Sequence, residues 1–171
     1  MSKTLRHKGY LSVEELCGTG GMPDQDRLSQ GPVAVIECVE QIPCDPCISA
    51  CPQGAIGMEA FVSVPILDGL RCTGCGLCLA ICPGQAIFLV DMTYGPDQAA
   101  VTFPYEYLPL PRKGQTVAAV SRDGSDVIQA EVVRVRASEA TNKTALVTVA
   151  VPRELADRVR SMRRLEEQED E

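Results

Sequence analysis

The stretch RCTGCGLCLAICPGQAI, Arg71–Ile87, sets Cys72, Cys75, Cys78 and Cys82 at the spacing C-x2-C-x2-C-x3-C and closes the run with Pro83. Upstream, PCDPCISACPQGAI, Pro43–Ile56, repeats the last three cysteines of that run as Cys44, Cys47 and Cys51, followed by Pro52. The two copies align at a constant offset of 31 residues, and the match extends through Ala55-Ile56 and Ala86-Ile87. Each copy runs on into a hairpin-like segment, AIGMEAFVSVPI in the first and AIFLVDMTYGPDQAAVTF in the second. A duplicated cysteine loop followed by a short hairpin implies a pseudo-twofold unit.

Eight of the nine cysteines lie between Cys38 and Cys82, and only Cys17 falls outside. The N-terminus has basic residues but no apolar h-region, and no run of about 18 apolar residues occurs, so a cytoplasmic protein without a membrane span is expected. In a reducing compartment, clustered cysteines point to metal or redox chemistry rather than disulfides. Zinc is the serious competitor, because C-x2-C pairs also build tetrahedral zinc sites. Such sites draw four ligands from two separated pairs, however, and have no use for a third and fourth cysteine in register with a proline.

The run ending Cys82-Pro83 resembles that of bacterial ferredoxins with two 4Fe–4S clusters, in which the first three thiolates bind one cluster and the fourth binds the other. Two-residue gaps let the loop wrap a cubane, Gly74 and Gly76 allow close approach, and Pro83 stops the helical turn bearing Cys82. The resemblance covers roughly residues 36–92. Carried over, it implies that Cys72, Cys75, Cys78 and, from the first copy, Cys51 bind one cluster. Cys44, Cys47 and, crossing back, Cys82 bind the other. The fourth ligand of that site is due at position 41, which is Gln41. Cys38 lies three residues upstream, giving C-x5-C-x2-C-x3-C-P, and Pro43 turns the chain just before Cys44. Either Cys38 supplies the missing ligand, or it is a buried free thiol ending the strand-like VAVIEC and the first site holds a three-iron or labile cluster, or none. Its closeness to the vacancy favours the first.

Working outward, the chain divides into an arm (1–33), the two-cluster domain (34–108), a β module (109–151) introduced by the linker LPLPRKG, and a tail (152–171). QTVAAVS, VIQAEVVRVRA and TALVTVAV alternate like strands, separated by the turns RDGSD and SEATNK. Pro152 and the spacing of Leu155, Val159 and Met162 predict an amphipathic C-terminal helix with an acidic end. The fold class expected is α+β: a pseudo-twofold bacterial ferredoxin-type core, then a small antiparallel β module and that helix. Aromatic content of 4% leaves little bulk for a core, so the clusters are expected to be needed for folding.

Charge limits the partners. Residues 38–110 hold seven acidic groups against the single basic Arg71, which accounts for nearly all of the chain's formal charge of −7. Such a face repels nucleic acid and favours a basic protein. Arg153, Arg158, Arg160, Arg163 and Arg164 of the tail read as a solvated or partner-docking face, with no aromatic interleaved for base stacking. GTGG after Cys17 is no dinucleotide fingerprint, Cys17 reads as a free thiol, and His7, the one histidine, sits in the arm. No nucleophile–base pair stands out, so no catalytic residue is expected.

The phrasing of GPVAVIECVEQIPCDPCISACPQGAI, LDGLRCTGCGLCLAICPGQAIFLVD and PRKGQTVAAVSRDG is similar to the small iron–sulfur subunit of FAD-dependent dehydrogenases of proline, hydroxyproline or related amino and imino acids. That resemblance implies a hetero-oligomer in which FAD or FMN sits on partner chains and this chain relays single electrons. The alternatives are a ferredoxin-type carrier or subunit serving another system, such as a hydrogenase or anaerobic reductase, and a protein whose metal is only structural.

Overall fold

The computed structural model describes residues 3–141 and 143–166. The arm before Val33 forms three short helices, α1 (Lys3–Lys8), α2 (Val13–Leu16) and α3 (Gln25–Leu28). Side chains start the last two. Ser12 Oγ accepts the Glu15 N–H at 3.3 Å while Glu15 Oε2 accepts the Ser12 N–H at 3.0 Å, satisfying two helix-start donors reciprocally. Asp24 Oδ1 accepts the Arg27 N–H at 2.7 Å, which does the same for α3.

The cysteine region follows as β1 (Val33–Ile36), α4 (Pro46–Ser49), β2 (Ile56–Gly57), β3 (Ile66–Leu67), α5 (Leu77–Ile81) and β4 (Ile87–Asp91). Moving α4 by the 31-residue offset lands on 77–80, inside α5, and moving β2 lands on 87–88, the start of β4. Moving β1 lands on 64–67, which contains β3. β1 pairs antiparallel with β4, and β2 with β3. Exchanging the two copies therefore turns one strand pair into the other, and α4 packs on α5. The repeat in sequence is a pseudo-twofold in space.

Beyond it lie β5 (Gln98–Tyr105), β6 (Thr116–Val120), β7 (Asp126–Arg136), β8 (Ala145–Pro152) and β9 (Ser161–Met162). β6, β7 and β8 occupy the three alternating stretches of the sequence, but they do not form a sheet of their own. β8 pairs with β5 along its whole length and with β7 on its other edge. The result is one seven-stranded antiparallel sheet, ordered β1-β4-β5-β8-β7-β6-β9.

Strand alternation gives the two faces different work. One core contains Val35 of β1, Val101 and Phe103 of β5, Val147 and Val149 of β8, Val132 of β7 and Met162 of β9. Since β1 and β9 are opposite ends of the strand order, the sheet curls around this core. The other face presents Ala34, Ile36, Ile87, Leu89 and Leu146 to Leu79, Cys47 and Cys78 of the cysteine helices. The sheet thus serves as the floor on which the cysteines stand.

The helix expected over 152–171 is not formed in its described part. Arg153–Leu155 make one 3-10 turn, and Ser161–Met162 pair with Val120 and Ala119 of β6. The Arg160 N–H donates to Val120 O and the Arg163 N–H to Ala118 O, each at 2.9 Å. Without this segment the β6 edge would leave those carbonyls unpaired. Val159 and Met162, read as helix-stripe residues, are both buried in the sheet's core. The final acidic residues, 167–171, lie outside the described residues. No helix among those described is long and apolar enough to cross a membrane.

Candidate functional site

The cysteines fall into two groups of four. Cys51, Cys72, Cys75 and Cys78 line one cavity, walled by Ala55, Ile56, Leu67 and Leu89. Cys38, Cys44 and Cys82 line a second cavity with Ile42 and Met58, and Cys47 stands within electrostatic reach of all three. Each group takes three thiols from one part of the chain and one from the other copy. Cys82 reaches the first group because α5 ends there: its backbone turns extended (φ −69°, ψ 111°) before Pro83, the conformation a following proline imposes.

Gln41, at the position equivalent to Cys72, is exposed. Cys38 lies beyond the end of β1 and faces the cavity with Cys44 and Cys82. It is half-buried just past β1 rather than on the strand.

Burial makes three of the thiols, Cys38, Cys47 and Cys78, costly to ionise. Burial pushes Cys78 up to about 12, with Cys72, Cys75 and Cys51 adding to the rise. Burial likewise pushes Cys47 up to about 11, with Cys82, Cys38 and Cys44 adding. Cys38 is also raised, first by burial, while a hydrogen bond from the Glu40 backbone pulls the other way.

Four arginines brace the groups. Arg27, only 8% exposed, donates from Nε to Gly69 O at 2.7 Å, from Nη1 to Gly31 O at 3.1 Å, and from Nη2 to Pro32 O at 2.9 Å and Cys72 O at 2.7 Å. It ties the arm and β1 to the second cysteine loop. Arg136 Nη2 donates to Cys75 O at 3.0 Å. It can do so because β7 bulges between Val132 and Arg134. Ala130 and Val132 face the curled core before the bulge and Val135 after it, so Arg134 and Arg136 turn to the cysteine side. On the first group, Glu37 receives Arg122 Nε at 2.8 Å and Nη2 at 2.6 Å, and Arg160 Nε at 2.5 Å.

Gly74 and Gly76 both have positive φ, +66° and +84°, which a side chain disfavours. A Cβ on Gly74 would lie 2.6 Å from Pro32 O, and one on Gly76 would lie 2.7 Å from Arg136 Nη2. Both glycines let the second loop lie against β1 and β7.

Iron–sulfur clusters fit this arrangement. Both donor sets are wholly thiol, the walls are apolar, and backbone N–H groups point at sulfur: Ala34 N to Cys72 Sγ at 3.4 Å and Ala55 N to Cys51 Sγ at 3.3 Å. Such bonds and such walls are the levers by which a protein holds and tunes a cluster.

Cys17 is exposed at the end of α2 and His7 is exposed on α1, and neither lines either cysteine cavity. The tail arginines do not make one face: Arg160 is buried, Arg163 pairs with Asp126 at 2.6 Å, and Arg164 lies over the Tyr107 ring. Arg27, Glu37, Arg122, Arg136 and Arg160 carry no local signal of their roles, since each has a partner that is distant in sequence.

Residues 37–87 match the family model of the 4Fe–4S dicluster domain. A 48-residue segment is 46% identical to one of the subunits of the ion-translocating oxidoreductase complex of Methanosarcina acetivorans, covering 28% of this chain and 17% of that one. A segment of 48 residues is 35% identical to the polyferredoxin-like subunit of an aliphatic sulfonate oxidoreductase of Pyrococcus furiosus, covering 28% of this chain and 27% of that one. The chain thus spans less than a third of either relative's length. No solved structure matches it significantly.

Proposed function

We propose that the chain is an iron–sulfur electron-transfer subunit of an oxidoreductase, built on a bacterial ferredoxin-type core. Cys38, Cys44, Cys47 and Cys82 hold one 4Fe–4S cluster, and Cys51, Cys72, Cys75 and Cys78 hold the other. The observation that carries this reading is the exchange of Cys51 and Cys82 between the two groups. That exchange sets two donor groups side by side across the packed helices α4 and α5. When bound, the clusters supply one-electron storage. The chain's residues supply the thiolates, the N–H donors of Ala34 and Ala55, and the apolar walls that keep water out.

The partner we favour is a flavin-bearing dehydrogenase oxidising proline, hydroxyproline or a related amino or imino acid. Its support is the likeness of the two stretches around the cysteines and of Pro111–Gly124 to small subunits of such enzymes. Oxidation of a C–N bond delivers an electron pair to flavin, and two one-electron sites in series suit its removal singly. A second reading, a ferredoxin-type subunit of another redox complex, is supported by the oxidoreductase names of the two relatives.

The test is purification of the tagged chain with its native partners under nitrogen. Co-purification of a flavin-bearing chain, with bleaching of the iron–sulfur absorbance by proline or hydroxyproline, is expected. Bleaching by dithionite alone, with no flavin in the complex, would favour the second reading.

A further inference from the structure

Arg27 is a buried cation with no carboxylate on its guanidinium among the described residues: all four of its side-chain bonds go to backbone carbonyls, one of them Cys72 O. Burying an uncompensated charge is costly unless something nearby opposes it. The nearest candidate is the space bounded by Cys72, Cys51, Cys75 and Cys78. Arg136 adds a second cation at Cys75 O, and Arg134 lines the surface beside the same cysteine. The Arg71 guanidinium lies against Gly54 on the same side, while Asp68 accepts the Leu70 and Arg71 backbone N–H groups. The first group differs. Its cations, Arg122 and Arg160, share Glu37, and Glu40 borders the same cavity.

We infer that Arg27, assisted by Arg136, makes the two sites unequal, so that a single electron entering the chain rests at the Cys51/Cys72/Cys75/Cys78 site. The inference depends on both sites holding 4Fe–4S clusters, as proposed above. A thiolate-ligated cluster is anionic and gains a further negative charge on reduction. A cation held in a low-dielectric setting favours that form far more than a screened surface cation does. The transfer so favoured takes one electron from the first site, which is oxidised, to the second, which is reduced. No proton moves and no bond breaks. Cys75 of that site is the exposed cysteine of the eight.

The experiment is an EPR-monitored redox titration of the full chain, with iron analysis, on wild type, Arg27→Met, Arg27→Lys and Arg136→Gln. Wild type should show two midpoints. Arg27→Met should lower the higher one by about tenfold in its one-electron constant, about 59 mV, and leave the other in place. Arg27→Lys, which keeps the charge but not the fork, should retain most of the difference. Arg136→Gln, on a strand edge, should shift the same midpoint the same way by less, and it carries the test if Arg27→Met takes up no iron. Movement of the lower midpoint, or of neither, in iron-replete protein overturns the ordering alone. Wild-type protein with far fewer than about eight irons overturns the two-cluster reading and the ordering with it.

Discussion

Glu37 and Arg160 are 123 residues apart in sequence, yet Arg160 Nε donates to Glu37 Oε1 at 2.5 Å. One follows β1 and the other precedes β9, the two ends of the strand order. Arg122, on the turn after β6, grips the same carboxylate, and the Arg160 guanidinium also lies 5.1 Å over the Phe88 ring. The contact closes the curled sheet at the residue next to Cys38. Sheet closure and the geometry of the first cysteine group are therefore one structural event.

Removing Glu37 leaves two guanidinium groups facing each other, one of them fully buried. Glu37→Ala should cost about 3–5 kcal/mol, the range for breaking a buried pair from one side. Arg122→Ala should cost less, because Glu37 keeps Arg160. Denaturant unfolding of the two variants measures the difference, and equal costs would mean that the carboxylate is not the shared element.

Alanine at the two glycines of the second loop should separate in severity. Both positions lie at positive φ, which costs a side chain about 1–2 kcal/mol. At Gly74 the new methyl meets the Pro32 carbonyl, which is backbone and cannot move aside. At Gly76 it meets only the tip of Arg136. Gly74→Ala should lose more stability and more iron than Gly76→Ala when both are purified anaerobically.

Residues 160–163 should behave as an edge strand. Amide exchange should be slow at Arg160 and Arg163, the donors to Val120 and Ala118. A helix over the same residues would instead protect a continuous run, Ser161 and Met162 included. Met162→Ala should cost about 2–5 kcal/mol, as expected for truncating a long core side chain.

The turn that carries Arg122 should loosen in acid. The Ser121 hydroxyl above all, then Ser125 through its hydroxyl and N–H, hold the Asp123 carboxyl below its ordinary value of 3.8. A lowered carboxyl favours the fold above the ordinary value, and that support disappears as pH falls through the folded one. Between pH 5 and 9 the turn should not respond. Below about pH 3.8 the Ser125 amide should begin to exchange faster, and Asp123→Asn should abolish the acid response.

The parts that could be read from sequence are those set locally. Cysteine spacing with a following proline fixes where α4 and α5 lie, and alternation marks β6, β7 and β8. Leu155, Val159 and Met162 misled because a turn followed by an edge strand can bury the same residues as a helix stripe. Arg27, Glu37 and Arg160 were invisible for another reason. Each acts through partners up to 123 residues away, and neither composition nor period encodes such a contact. Cys38 was legible only as a thiol near a vacancy, and its position beyond the end of β1, facing Cys44 and Cys82, comes from the fold.

The most direct measurement is iron and sulfide per chain, with EPR after dithionite, on anaerobically purified wild type and Cys38→Ala. Wild type should carry about eight irons and show two magnetically interacting reduced 4Fe–4S centres, and Cys38→Ala should lose or degrade one of them. About four irons in wild type, a three-iron signal before reduction, or a Cys38→Ala variant indistinguishable from wild type would contradict two complete centres with Cys38 as the eighth ligand.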